Sequence, residues 1–99
     1  MSKFVVTLLL PPSFTDEFTA LIPSHWSFIS KLLDERVIEV YAISADRSRG
    51  WVTMNGATDA SVRALVAQMP LYPFFTRIEV DELYVYDSVA SRLPPLYPN

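Results

Sequence analysis

Prolines divide this chain into short segments, and their positions constrain the fold more than any other feature of the sequence. Residues 4–10 are β-branched, aromatic and leucine-rich, and Pro11 and Pro12 follow them directly. Because proline cannot donate a hydrogen bond to a neighbouring strand, this pair predicts that a buried first strand ends at residue 10. Pro70 and Pro73 end a helix-like segment in the same way. The prolines therefore mark the end of a first strand and the end of a later helix.

Two predicted helices follow from the spacing of apolar residues. In residues 24–35 the apolar side chains recur at helical intervals, and this stripe consists of Trp26, Ile29, Leu32 and Leu33. A short first piece of this helix is predicted to begin near Thr15, which is a plausible cap. Pro23 removes a helical hydrogen bond, so we expect a kink or a restart of the helix at that position. The second helix is predicted over residues 59–69, with Thr58 or Asp59 as its cap.

Three further segments have the composition of β-strands. They span residues 37–44, 51–55 and 77–86. The link between the first two is a short polar turn, which allows only antiparallel pairing. In the last segment the apolar alternation slips, and a bulge near Asp81 and Glu82 would restore it. The predicted order is therefore β-α-β-β-α-β, a ferredoxin-like α+β sandwich whose two helices cover one face of the sheet.

Length and composition predict one domain that assembles with copies of itself. Ninety-nine residues suffice for one domain, which we assign to residues 1–90. The proline-rich residues 91–99 form either a disordered end or an extended arm on a neighbouring subunit. Hydrophobic residues make up 51% of the chain, more than a monomer of this size easily buries. We therefore expect a homodimer or a larger ring, with two sheets packed face to face as a dimeric α+β barrel.

The charge and composition exclude several kinds of partner. The net charge is −3 and the basic residues are scattered, so no basic stripe is available for a nucleic acid. The chain has no cysteine and one histidine, which excludes cysteine-ligated and histidine-rich metal centres. Its two glycines form no phosphate-binding loop, and residues 4–10 are too few to span a membrane. We expect a cytoplasmic protein that uses no cofactor and binds no metal, nucleic acid or membrane.

Residues 69–75 and 78–83 carry a resemblance to a known family. They read Met-Pro-Leu-Tyr-Pro-Phe-Phe and Ile-Glu-Val-Asp-Glu-Leu. The pair resembles the muconolactone isomerase family, in which a loop of the form Leu-Pro-Leu, aromatic-Pro-aromatic leads into an Ile-Glu-Val-Asp-x-Leu strand. The likeness extends from about Ile29 to Ser88. It implies a ferredoxin-like subunit that assembles into dimers and larger rings. It also implies cofactor-free movement of a double bond in an unsaturated lactone by proton abstraction and reprotonation.

The chain departs from the family pattern before its third strand. The family has Arg-x-x-Gly there, which suits a substrate carboxylate, whereas residues 43–46 here read Ile-Ser-Ala-Asp. Around His25 the family helix is rich in charged residues, and this helix is not. These differences imply a substrate other than the family's.

Two residues are candidates for proton transfer. His25 is the only side chain whose unperturbed pKa lies near neutrality, and the alternative is a surface or capping histidine. Glu39 lies mid-strand among apolar residues, on a face that we expect to be buried. Burial would raise the pKa of its carboxyl and suit it to acid–base chemistry, whereas the alternative is an inward charge paired with an arginine.

Six further residues are candidates for binding a small substrate. Arg47 could hold a carboxylate through two hydrogen bonds or lie in a solvated turn. Glu79 could face the pocket or form a salt bridge between subunits. The aromatic residues that could line a pocket for a flat ligand, or else fill the core or the dimer seam, are Tyr41, Trp51, Tyr72 and Phe74.

Functions of different classes remain open at this point. The first is a cofactor-free isomerase or cyclase that transfers a proton on a small unsaturated carbonyl or lactone compound, with Tyr41 or Arg47 at the carbonyl oxygen. The second is a non-catalytic ligand-binding or oligomerisation domain. A third is a haem-dependent relative with His25 as the axial ligand. A closed cavity with a buried ionisable group would favour an enzyme, whereas a cavity filled by Trp51, Phe74 and Phe75 would exclude it.

Overall fold

The computed structural model describes residues 1–89. The elements, in chain order, are β1 Ser2–Leu9, α1 Asp16–Asp34, β2 Ile38–Ile43, β3 Arg49–Gly56, α2 Asp59–Val66, a short 3-10 helix Tyr72–Phe74 and β4 Arg77–Glu82. The predicted order β-α-β-β-α-β is confirmed. The proline-rich segment predicted at 91–99 lies outside the described residues. No helix within residues 1–89 is both long and apolar enough to cross a membrane.

The four strands form one antiparallel sheet in the order β2-β3-β1-β4. Val6 of β1 lies opposite Val52 of β3 on one side and opposite Val80 of β4 on the other. Alternate side chains of the sheet point towards the two helices and form a fully buried core with them. Its members with no exposed surface include Phe4, Val6, Leu8, Ile29, Val52 and Met54. This arrangement confirms the ferredoxin-like α+β fold.

The face of the sheet turned away from the helices carries the alternate residues, and we call it the open face. It consists in part of Val5, Thr7, Leu9, Val40 and Trp51. The side chains of Val40 and Trp51 are 48% and 38% exposed. The two helices therefore leave this face of the sheet free, as predicted, while the homodimer that would cover it stays a prediction.

Helix α1 is continuous through Pro23, so a restart of the helix at that position is wrong. Thr15 caps its first turn by accepting a hydrogen bond from the backbone N–H of Phe18 at 3.1 Å. Pro23 lies on the exposed flank, where water can satisfy the carbonyl that has lost its helical partner. The opposite flank buries Phe18, His25, Ile29 and Leu32, and this burial holds the helix together across the proline.

The bulge is in β2 and not in the last strand. The register of β2 against β3 shifts between Ile38 and Val40, which makes Glu39 the extra residue. The bulge predicted near Asp81 is wrong, because β4 ends at Glu82 and the slipped residues lie beyond the strand. Only Arg77–Glu82 of the predicted strand 77–86 pairs in the sheet.

Candidate active site

A cavity of about 190 Å³ lies between the first half of α1 and the outer strand β2. Its polar side chains are His25, Tyr41 and Arg47, and its aromatic walls are Phe14, Phe18 and Trp26. The aliphatic lining consists of Leu10, Ile22, Ile43 and Leu71. The cavity opens to solvent beside the exposed side chains of Trp26, Ile43 and Arg47. An apolar cavity of about 150 Å³ is known to hold benzene, so this volume suits a ligand with a single ring.

The bulge in β2 directs Tyr41 towards this cavity. In a regular strand, residues 38 and 41 would point to opposite faces, since side chains alternate. The extra residue Glu39 shifts the alternation by one position, so Ile38 and Tyr41 point to the same face. Ile38 lies opposite Met54 and Tyr41 lies opposite Val52, both on the face towards the helices. Tyr41 therefore faces α1 across the cavity.

Helical spacing brings His25 to the same place. His25 lies two turns after Phe18 and one turn before Ile29, and all three are buried on one face of α1. The histidine is 2% exposed, while its neighbour Trp26, predicted to lie on the apolar stripe, is 52% exposed. The predicted stripe is confirmed at Ile29 and Leu32 and wrong at Trp26, because His25 is buried in its place. Trp26 packs edge-on against the ring of Tyr41, with centroids 5.5 Å apart.

Both ring nitrogens of His25 have partners. Nε2 lies 2.8 Å from the hydroxyl oxygen of Tyr41. Nδ1 accepts a hydrogen bond from the backbone N–H of Leu71 at 3.4 Å. The ring of Phe75 packs edge-on against the imidazole at a centroid distance of 6.3 Å. The histidine is therefore fixed between α1, β2 and the loop that leads to β4.

Burial keeps both members of this pair uncharged. It lowers the pKa of His25 to about 4 and raises the pKa of Tyr41 to about 12, because each charged form would lose its hydration in the apolar surroundings. At neutral pH the site therefore contains a neutral imidazole and a neutral phenol. Such a pair can donate or accept hydrogen bonds without carrying a charge of its own.

Arg47 supplies the positive charge at the cavity mouth. It stands in a left-handed backbone conformation, with φ of 62°, in the turn between β2 and β3. Asp46 fixes this turn by accepting hydrogen bonds from the Ser48 hydroxyl at 2.7 Å and the Ser44 hydroxyl at 2.8 Å, which lower the pKa of its carboxyl to about 2. Within residues 1–89 Arg47 forms no salt bridge, so its guanidinium is available to an anion.

Three predicted site residues, His25, Tyr41 and Arg47, thus line one cavity, and Glu39 lies elsewhere. The expectation that Glu39 is on a buried face is wrong, since the bulge leaves it exposed and paired with Lys3. Lys3 lies on the open face, on the other side of the sheet from the cavity.

The remaining predicted residues also lie outside the cavity lining. Trp51 and Glu79 belong to the open face, where Glu79 forms a salt bridge with Arg77 at 3.1 Å. Tyr72 is exposed in the 3-10 helix. Phe74 does not reach the cavity, and its ring contacts the lining residue Phe18 edge-on at a centroid distance of 5.5 Å.

Sequence reasoning missed most of the apolar lining. Phe14, Phe18 and Ile22 precede His25 at intervals of about one helical turn, and this spacing was the signal for a shared face. Helical spacing does put Phe18 and Ile22 next to His25, but it does not by itself show that they line a cavity. Leu71 had no such signal, because its position depends on how the loop after α2 folds back.

Comparison with known proteins shows the fold. No protein-family model matches the chain, and no curated protein matches it. Among solved structures, it is similar to the 5-chloro-2-hydroxyhydroquinone dehydrochlorinase of Burkholderia phenoliruptrix AC1100, solved as a complex with 2,5-dihydroxybenzoquinone. The TM-score is 0.66 over 80% of this chain and 90% of that one, at 14% identity. This chain therefore shares the ferredoxin-like α+β fold with the dehydrochlorinase.

Proposed function

We propose that this protein is a cofactor-free isomerase or cyclase that acts by proton transfer on a small unsaturated carbonyl or lactone compound. One observation carries the proposal: a buried ionisable residue, His25, is hydrogen-bonded to Tyr41 in the wall of a ring-sized apolar cavity. Trp51, Phe74 and Phe75 do not fill this cavity. Polar groups that converge in an apolar pocket are typical of a catalytic site.

The chemistry we assign to the site begins at the carbonyl oxygen of the substrate. Water at the open mouth of the cavity takes a proton from the α or γ carbon and later returns it to another carbon. While the proton is absent, negative charge lies on the carbonyl oxygen, and a hydrogen-bond donor placed there stabilises the resulting enolate. The apolar walls strengthen such a hydrogen bond because they exclude water. Arg47, at the mouth, would hold a second oxygen of the substrate, such as a carboxylate. Reprotonation at another carbon then shifts the double bond.

The dehydrochlorinase, which shares this fold, supports the proposal without identifying the reaction. The dehydrochlorinase is named for a substrate with one ring, and a compound with one ring is bound in its structure. The muconolactone isomerase family, indicated by residues 69–75 and 78–83, fits the same size of substrate. We propose that this protein carries out the same kind of reaction as that family on a different substrate.

A hydrogen–deuterium exchange assay tests the function before the substrate is known. The protein is incubated in deuterium oxide with a panel of unsaturated γ-lactones and cyclic enones, and NMR measures exchange and double-bond shift at the α and γ carbons. We expect catalysed exchange for at least one compound. Tyr41→Phe should slow it about 100-fold, the cost of losing one donor to a developing oxyanion. Tyr84→Phe is the matched control, because Tyr84 is fully exposed and remote from the cavity.

Two results would contradict the proposal. If no compound exchanges faster with protein than with buffer, the chain is no catalyst for this class. If compounds bind without exchange, the site belongs to a ligand-binding domain, which was the alternative prediction.

We also propose that the open face forms the contact between two subunits. Its exposed Val40 and Trp51 side chains provide apolar surface that a second sheet would bury. Sedimentation velocity measures the oligomeric state of the intact chain and of a Val40→Asp variant. We expect a dimer for the first and a monomer for the second, and a monomeric intact chain would refute it.

A further inference from the structure

We propose that Tyr41 points its hydroxyl hydrogen into the cavity and binds an oxyanion of the ligand, with His25 as the positioning residue that fixes this direction. The ligand class that follows is a one-ring compound with a phenolate or enolate oxygen. This assignment deepens the proposed function and rests on it for its catalytic meaning. It replaces the prediction that His25 is the base.

The direction of the hydrogen bond follows from the partner of Nδ1. The backbone N–H of Leu71 is a fixed donor aimed at this nitrogen, so Nδ1 must keep its lone pair. A neutral imidazole has one hydrogen, which is then on Nε2. Nε2 therefore donates to the hydroxyl oxygen of Tyr41 across 2.8 Å.

The hydroxyl hydrogen of Tyr41 is then free for the ligand. Its oxygen already accepts from His25, and Tyr41 has no second hydrogen-bond partner within residues 1–89. A hydroxyl that accepts a hydrogen bond becomes a stronger donor, because the two bonds polarise each other. Charged acceptors bind such a donor more tightly than neutral ones, and Arg47 adds a positive charge at the mouth of the same cavity.

The opposite direction would make a different site. If Tyr41 donated to Nε2, then Nδ1 would carry the hydrogen and face the N–H of Leu71, placing two buried donors against each other. The cavity would then contain an accepting phenol oxygen, and it would prefer a neutral hydroxyl to an oxyanion. His25 would in that case act as a base through Tyr41. The two arrangements thus predict opposite ligand preferences.

The tautomer of His25 can be measured directly. His25 is the only histidine of the chain, so nitrogen-15 labelling of histidine yields the signals of one imidazole, provided that the protein is made without a histidine tag. At neutral pH we expect a protonated Nε2 and an unprotonated Nδ1. A protonated Nδ1 would overturn the proposal. Because this measurement needs no ligand and no activity, its result is independent of the proposed function.

The ligand preference is measured with para-nitrophenol as the probe. Its ionised and neutral forms differ in colour, so absorbance during a pH titration reports the pKa of the bound probe. We expect the bound probe to ionise at lower pH than the free probe, with phenolate favoured by at least about 10-fold. Tyr41→Phe should remove most of this preference. Arg47→Gln should remove a separate part, and its matched control is Arg36→Gln, at an exposed residue with the same left-handed backbone.

Variants of His25 separate positioning from mere packing. His25→Gln retains an amide N–H that can reach the Tyr41 oxygen and should keep part of the preference, whereas His25→Leu should lose it. Circular dichroism of each variant confirms that it is folded. Preference for neutral nitrophenol, an unchanged preference in Tyr41→Phe, or a native protein that does not bind the probe would each overturn the proposal. A phenolate preference without any catalysed exchange would leave it standing and would refute the proposed enzyme alone.

Discussion

Mild acid will destabilise this protein through a single residue, His25. The unfolded chain takes up a proton at this histidine near its ordinary pKa of 6.5, whereas burial lowers the pKa in the folded protein to about 4. Between these values the unfolded state binds more protons than the folded state, so the free energy of unfolding falls as the pH falls. The full stability is present above pH 6.5 and is lost progressively towards pH 4.

The size of the loss follows from these two pKa values. Between about pH 7 and pH 5.5, linkage predicts that titration of His25 alone lowers the free energy of unfolding by about 1.2 kcal/mol. The folded state contributes almost nothing to this figure, because its imidazole, which is 2% exposed, stays neutral over the whole interval. This interval also lies above the pKa of most carboxyl groups, which keeps their contribution small.

Urea unfolding of the native protein and of His25→Gln measures the effect. Tryptophan fluorescence follows the transition at both pH values, and one fixed protein concentration removes any effect of assembly. The variant lacks the titrating ring but has every carboxyl group of the native protein. The difference between the two losses of unfolding free energy therefore reports His25 alone. We expect the native protein to lose about 1.2 kcal/mol more than the variant between the two pH values. An equal loss in both proteins would refute the buried, neutral state of His25.

The remaining predictions concern packing and capping, and thermal or urea unfolding measures each of them. Gly56→Ala should destabilise by about 1–3 kcal/mol, because the new Cβ would lie 2.5 Å from a methyl group of the buried Val62. Thr58→Ala should cost about 1 kcal/mol, because the capping box that Thr58 forms with Ser61 at the start of α2 would be lost. Ile29→Ala, at a residue with no exposed surface, should cost about 3 kcal/mol. A change below about 0.5 kcal/mol, the usual range for surface substitutions, would contradict the packing or cap assigned to that residue.

The order of the elements was predictable because local signals fix it. Pro11 limits the first strand, and β1 ends at Leu9. The polar turn between β2 and β3 is too short for anything but a hairpin, and the structure has one. These signals act within a few residues of each other, so a single sequence contains them in full.

The same local signals predicted the buried face of α1 only in part, since Ile29 and Leu32 are buried as expected but His25 is buried in place of Trp26. Pro23 indicated a break, and a break would have allowed the two halves of the helix to have independent phases. In the structure one phase runs from Phe18 through His25 to Ile29. Tertiary burial outweighs the hydrogen bond that the proline removes, and a single sequence gives no measure of that burial.

The site depends on two departures from regular structure, the proline inside α1 and the bulge in β2. Tyr41 stands three positions after Ile38, an odd number that would put the two side chains on opposite faces of a regular strand. One extra residue, Glu39, corrects the parity, and its exposed carboxylate pairs with Lys3 on the open face. The hydrogen bond between His25 and Tyr41 therefore requires a helix that continues through a proline and a strand that bulges at a glutamate. Glu39 was predicted to transfer a proton. The structure instead indicates that its extra position in β2 turns Tyr41 towards His25.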